Sequence, residues 1–138
     1  MSASTGKRPR NATTPRPVTV TVSPGAKWLS ANDRGSWHVR AELTRIWLGA
    51  TATLIQAQRP APLPAPVEVT VTVHRVSNRR SDSPNVAPTA KACIDGAVRA
   101  GLLADDHDGI VVRTIFERGP NKSRPALTIT FRPIEEKP

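Results

Sequence analysis

Asp105, Asp106 and Asp108 fall within four residues of one another, and Asp82 and Asp95 stand upstream of them. In a chain with 20 Lys and Arg against 11 Asp and Glu, a net charge of +9, that concentration of acid is the exception. Adjacent carboxylates repel and raise one another's pKa unless a cation compensates. Mg²⁺ suits such a group, because it takes hard oxygen ligands and keeps several waters, and Mn²⁺ is a possible substitute. Beside a polyanion, a carboxylate-held Mg²⁺ would let an acidic site accept a phosphodiester and would stabilise charge that develops during its hydrolysis. The competing reading is a solvated acidic turn with a helix-capping aspartate.

Other residues could join that chemistry. Arg79-Arg80-Ser81-Asp82 sets two cations directly before a carboxylate, the pattern of a phosphate clamp beside a metal ligand, or else of an exposed charged loop. Lys91 and Asp95 are four apart with the lysine first, the less favourable order for a helix, which tilts toward a functional use of Lys91 such as contact with a scissile phosphate. His107 is a metal ligand or a surface residue. His38 and His74 read as structural, and His38-x3-Glu42 is not a zinc-protease pattern. Cys93 is the single cysteine, which excludes a disulfide framework and a Cys-based zinc cluster and suits a small buried residue. Trp28 and Trp37 read as sheet-edge packing, with base stacking as the other use. No Gly-rich phosphate loop and no Ser/His/Asp arrangement is visible.

These side chains need elements to hold them. Val18, Val20 and Val22 alternate with threonines, as do Val67, Val69, Val71 and Val73 with Glu68, Thr70 and Thr72, and Leu127, Ile129 and Phe131 with Thr128 and Thr130. That is the period of half-buried strands. A further strand is expected at about 110–116. Ser36 is a plausible N-cap for a helix to about Gln58, with Val39, Leu43, Ile46, Trp47, Ala50 and Leu54 on its core stripe. Arg34, His38 and Arg45 fall on its other side. A second helix is expected from Pro88, in its first turn, to about Ala100, with Ala90, Ile94, Ala97 and Val98 inward and Gly101 at its end. The order β-α-β-α-β-β predicts an α/β chain of the two-layer α+β kind. It would be a single mixed sheet of about four strands, each with one apolar face, and two helices packed on it.

The 138 residues suit one domain, expected over 18–138, with residues 1–17 as a disordered basic arm. That arm carries Lys7, Arg8, Arg10 and Arg16 without an acid, so +4 of the +9 lies there and +5 in the rest. Pro9, Pro15 and Pro17 forbid a helix through it, and it has no apolar secretory core. No apolar run approaches a membrane span. A charge this positive points to nucleic acid before an anionic membrane surface.

The stretch Arg79-Arg80-Ser81-Asp82-Ser83-Pro84-Asn85, then Lys91-Ala92-Cys93-Ile94-Asp95-Gly96, then Ala100-Gly101-Leu102-Leu103-Ala104-Asp105-Asp106, resembles the RusA family of Holliday junction resolvases. That family has an arginine-rich loop leading into Asp-x-Asp-Asn, a Lys-Ala-x-x-Asp-(Ala/Gly) helix, then a glycine and an Asp-Asp pair. The Asn-x-x-Pro-Thr-x-Lys-Ala form here is similar to the variant common in actinobacteria and their phages, and Ser30-Ala31-Asn32 matches the family's Ser-x-Asn loop. The similarity spans about residues 18–132.

The resemblance implies a cytoplasmic, Mg²⁺-dependent homodimeric endonuclease that resolves four-way DNA junctions by paired symmetric incisions, a two-fold protein on a two-fold substrate. Asp82, Lys91 and Asp106 would be its catalytic residues. Asp82, Asp95, Asp105 and Asp106 would be its metal ligands, with Asp106 the stronger of the adjacent pair. Lys27, Asn32, Arg34, Arg79, Arg80 and Asn85 are the candidate DNA contacts. Two departures matter: the motif's second aspartate falls on Pro84, and two extra residues precede Lys91. Either Asp95 or Asp105 would supply the missing oxygen, or activity would be reduced. A DNA-binding module without nuclease activity is therefore the alternative, and an RNA- or ribosome-associated protein a third class.

One geometric demand follows. A helix of about 13 residues is about 20 Å long, with Asp82 before it and Asp106 after it. A metal site combining the two requires residues 82–87 to fold back, the helix to end early, or assembly across a dimer.

Overall fold

The computed structural model describes residues 16–29, 37–79 and 85–134. Most of the basic arm, the Ser36 cap, Asn32, Arg34, Arg80 and Asp82 lie outside the described residues. The elements are β1 (Val18–Val22), α1 (Trp37–Gln58), β2 (Val67–His74), α2 (Ala87–Arg99), β3 (Val111–Arg118) and β4 (Ala126–Pro133). They form one mixed four-stranded sheet, ordered β1-β4-β2-β3, with the two helices packed on it. β4 runs antiparallel to both β1 and β2, whereas β2 and β3 are parallel and joined through α2. Among the described residues no helix is long and apolar enough to cross a membrane.

The alternating valines do what their period requires. Val18, Val20, Val22, Val67, Val69, Val71, Leu127, Ile129 and Phe131 all face the helices and are buried. β3 departs from the expectation of an apolar face on every strand. It runs to Arg118 rather than 116, and every residue after Val111 is exposed. It lies outermost in the sheet, and what it turns toward water on both faces includes Val112, Ile115 and Phe116.

The helix stripes also differ from expectation, shifted in α1 and broader in α2. In α1 the buried residues are Leu43, Trp47, Thr51, Ala52 and Ile55, while Val39 and Leu54 are 40% and 37% exposed. The buried band steps by four because α1 packs against α2 as well as the sheet, and small residues there admit the neighbouring helix. α2 buries Thr89, Ala90, Ala92, Cys93, Ile94, Gly96 and Ala97 for the same reason. Pro88 stands in its first turn and Gly101, at φ +84°, follows its last residues as anticipated. Burial pushes the Cys93 thiol up to about 12, so it behaves as an inert core group.

Two anchors orient α2. A Cβ on Gly96 would lie 2.5 Å from the Leu48 carbonyl oxygen and 3.0 Å from the Thr51 Cβ, so only glycine lets the helices approach this closely. At the other end the buried Thr89 hydroxyl accepts from the Leu29 N–H (2.9 Å) and donates to the Leu29 carbonyl (3.0 Å). Trp47 is fully buried, donates its indole N–H to the Lys27 carbonyl (3.0 Å) and stacks on Trp28 with centroids 5.6 Å apart. Trp28 thus packs on α1 in the segment after the edge strand β1, and Trp37 is 65% exposed with its ring beside His38.

The face of the sheet away from the helices is a threonine array. Thr19 pairs with Thr130 and Thr21 with Thr128, hydroxyl to hydroxyl at 2.9 Å in each case, and Thr70 and Thr72 continue the two rows. His74 closes one row, with Nε2 2.7 Å from the Thr128 hydroxyl and Nδ1 2.8 Å from the Pro120 carbonyl. A carbonyl only accepts, so Nδ1 carries the proton and Nε2 accepts from Thr128. His74 is structural, as its sequence context suggested.

Gly96→Ala should destabilise the protein by about 1–3 kcal/mol, because the methyl meets backbone that cannot move aside. Gly49→Ala, on α1 with nothing within 4 Å of its Cβ, should instead be neutral or stabilise by up to about 1 kcal/mol. Denaturant unfolding of the two variants checks the contrast.

Candidate active site

The exposed face of α2 is what its two anchors leave over. With Thr89, Cys93 and Gly96 turned inward, Lys91 and Asp95 stand outward one turn apart. After the helix the chain does not run away from it. Leu102 and Leu103 bury their side chains and donate their N–H groups to the Ala97 carbonyl, and Asp106 returns alongside α2. The Lys91 ammonium donates to Asp95 Oδ1 at 2.9 Å and also to Asp106 Oδ2, fifteen positions away in sequence. The carboxylate beyond the helix is therefore brought back to Lys91 by the segment after α2, while the expected meeting of Asp106 with Asp82 lies outside the described residues.

Lys91 remains open to solvent, with 62% of its side chain exposed, whereas Asp106 keeps 26%. The Lys91 ammonium, hydrogen-bonded to it, holds the Asp106 carboxyl below its ordinary value of 3.8. Reciprocally, its hydrogen bonds to Asp106 and Asp95 raise the Lys91 pKa above 10.5. Asp105 turns its Oδ1 onto the Asp106 N–H at 2.8 Å, fixing the turn that aims Asp106. Among the described residues no three acidic, histidine or cysteine side chains converge as a metal group. His107 accepts from the Gly109 N–H (3.0 Å) through Nδ1, so that nitrogen serves its own turn.

The residues present fit a divalent cation in one respect. A positive group already bridges Asp95 and Asp106, and carboxylate oxygens are the donors Mg²⁺ takes while retaining water. Of the four expected ligands, Asp95 and Asp106 come together, Asp105 supports Asp106 through the backbone, and Asp82 lies outside the described residues.

The candidate DNA contacts divide. Arg80, Asn32 and Arg34 lie outside the described residues. Lys27 is exposed on the segment that Thr89 ties to the first turn of α2, so it stands on the same side of the fold as that turn. Asn85 caps the approach to α2, its side-chain oxygen accepting from the Ala87 N–H at 3.3 Å. Arg79 is exposed, and its carbonyl accepts from Arg75 Nη2 at 2.9 Å. A cavity of about 390 Å³ opens beside these residues where β2 and β3 end, bordered by Val73, Arg75, Asn85, Val86, Phe116 and Arg118. Arg75 Nε is buried there without a hydrogen-bond partner among the described residues.

Arg75 and Arg118, which border that cavity, and Thr89, which anchors α2, are residues the sequence did not single out. The first two lie at the ends of the parallel strands β2 and β3, where ligands gather in open sheets. Thr89 follows Pro88 in the first turn of a helix, and a buried threonine there was the available sign. No protein-family model matches this chain, and no curated protein is similar to it.

The Asp106 titration midpoint, followed by carboxyl NMR, should lie below 3.8 and rise in Lys91→Ala as the favourable ammonium is removed. Because the Asp106 value is depressed on folding, the ion pair's small contribution to stability is present above the ordinary carboxylate range and fades as pH falls through it. The Lys91 side of the pair, being raised, keeps its contribution until the pH passes the folded lysine value.

Proposed function

We propose that this chain is a Mg²⁺-dependent endodeoxyribonuclease that cuts four-way DNA junctions as a homodimer. The observation that carries the reading is the meeting of Lys91, Asp95 and Asp106, three of the residues that the RusA resemblance singles out, on the open face of α2. Asp95 and Asp106 would hold the ion, with Asp82 as the further ligand expected from the resemblance. The ion, when bound, supplies Lewis-acid stabilisation of a phosphodiester undergoing hydrolysis.

The chain's own residues do the remainder. Lys91 holds the two carboxylates together, and its exposed ammonium is free to exchange one of them for a phosphate oxygen as DNA arrives. Asp105 orients Asp106 through the backbone. Arg75, Arg79 and Arg118, near the strand ends, supply cations for the flanking phosphates, and Asn85 holds the start of α2 beside them. Asp95 rather than Asp105 is the residue suited to supply the oxygen that Pro84 lacks.

Pro84 favours a second reading, a junction-binding module with weak or absent cleavage. Incubation of labelled four-way junctions and linear duplex, with and without Mg²⁺ and with Mn²⁺ substituted, separates the two. Paired, metal-dependent nicks in the junction support the enzyme, and binding without cleavage in either metal supports the module. For the enzyme, Asp106→Asn should lower cleavage by about a thousandfold or more, several kcal/mol of transition-state stabilisation, while junction binding persists.

A further inference from the structure

β3 is an edge strand of eight residues with no described strand beyond it. Edges of that length are usually blunted by proline, charge, a bulge or a cover; Val111–Arg118 has no proline, its bulge lies at its start, and its charges include the oppositely signed Arg113 and Glu117, which can complement as well as repel. Its alternation also has a definite phase. The Gly119 N–H donates to the Val73 carbonyl, so odd-numbered residues after the bulge at Val67/Glu68 aim their peptide groups at β2. The peptide groups of Thr114 and Phe116 therefore aim outward, unpaired within the sheet.

We propose that a second copy of this chain adds its own β3 to this edge, antiparallel, about a two-fold axis through Ile115. Opposed residues must share a sheet face, so the axis has to pass through a residue rather than between two. The register centred on Ile115 sets Arg113 of each copy opposite Glu117 of the other. No other centre makes that pair, and this one makes it twice. Ile115, 36% exposed, then lies against its own symmetry mate, and Thr114 and Phe116 exchange peptide hydrogen bonds across the seam.

Arg113 already donates to Glu68 at 2.8 Å, and Glu117 accepts from Thr72 at 3.2 Å. A guanidinium has five N–H donors and a carboxylate several lone pairs, so both retain capacity, and 63% of the Arg113 side chain is exposed. An axis normal to the sheet leaves the helices of both copies on one side. Both Lys91–Asp95–Asp106 clusters would then open to the same side of a continuous eight-stranded sheet. The inference identifies the surface behind the homodimer of the proposed function but stands on the strand alone.

The test reads association by sedimentation rather than cleavage: a dimer indifferent to the β3 variants fails this proposal alone, a protein that dimerises through β3 without cleaving fails only the nuclease reading, and a monomeric wild type removes the dimer from both. Wild-type protein should be dimeric, and Glu117→Arg, which puts like charges opposite one another at both positions, should weaken the dimer by at least about tenfold. Arg113→Glu should do the same. Mixing the two variants should restore dimers, because each strand then opposes the other with opposite charges. Ile115→Cys should form an intermolecular disulfide on mild oxidation, since facing residues of a non-hydrogen-bonded pair lie about 4.5 Å apart, while buried Cys93 stays silent. Melting curves check that each variant is folded. A monomeric wild type, a dimer indifferent to Glu117→Arg, or a mixture that stays monomeric would overturn the proposal.

Discussion

The close approach of α2 to the backbone of α1 at Gly96 is the contact on which the rest of the arrangement turns. A helix has about 3.6 residues per turn, so fixing one face fixes the others. Once Gly96 lies against Leu48 and Cys93 beside Thr51, the residues at 91 and 95 have nowhere to go but outward. Thr89 adds the second point needed to stop rotation, and through Leu29 it also fixes where the segment after β1 meets α2. The exposed reactive stripe is therefore a product of packing on the opposite side of the same helix.

That stripe is electrostatically self-contained. Two carboxylates brought together on a helix surface would repel, and the lysine between them removes the penalty without a bound ion. Both partners are raised or lowered in the direction that keeps them charged. The cluster can thus be assembled during folding and kept charged until a competing cation or anion arrives. The ion pair is solvent-exposed, so it contributes little to stability and is correspondingly easy to rearrange.

Much of the fold was legible because strand periodicity is a local property. Alternation of apolar residues with threonine in β1, β2 and β4 set face and phase directly, and Pro88 and Gly101 marked the ends of α2. The misread positions are those whose environment depends on a neighbour far along the chain. Val39 and Leu54 look like core residues until the crossing of α2 shifts the buried band toward Thr51 and Ala52. β3 lacks the strict alternation of its sister strands, with apolar residues in adjacent pairs, but nothing local in it reveals that it lies at the border of the sheet. The same holds for the site. The types Lys91, Asp95 and Asp106 could be picked out from spacing, but their meeting depends on a loop reversal fixed by Leu102 and Leu103 at Ala97.

The threonine array has an electrostatic consequence for a chain with a net charge of +9. On that face the charged strand residues are Glu68 and Glu117 against Arg113 and Arg132, which cancel. Among the described residues the positive excess is therefore carried away from this face, and the sheet presents a neutral, hydroxyl-rich back. A polyanion approaching from any direction would feel a torque that turns the other side toward it before contact. Orientation, ordinarily a cost of productive encounter, is then partly settled at a distance, and the effect should be most marked at low ionic strength.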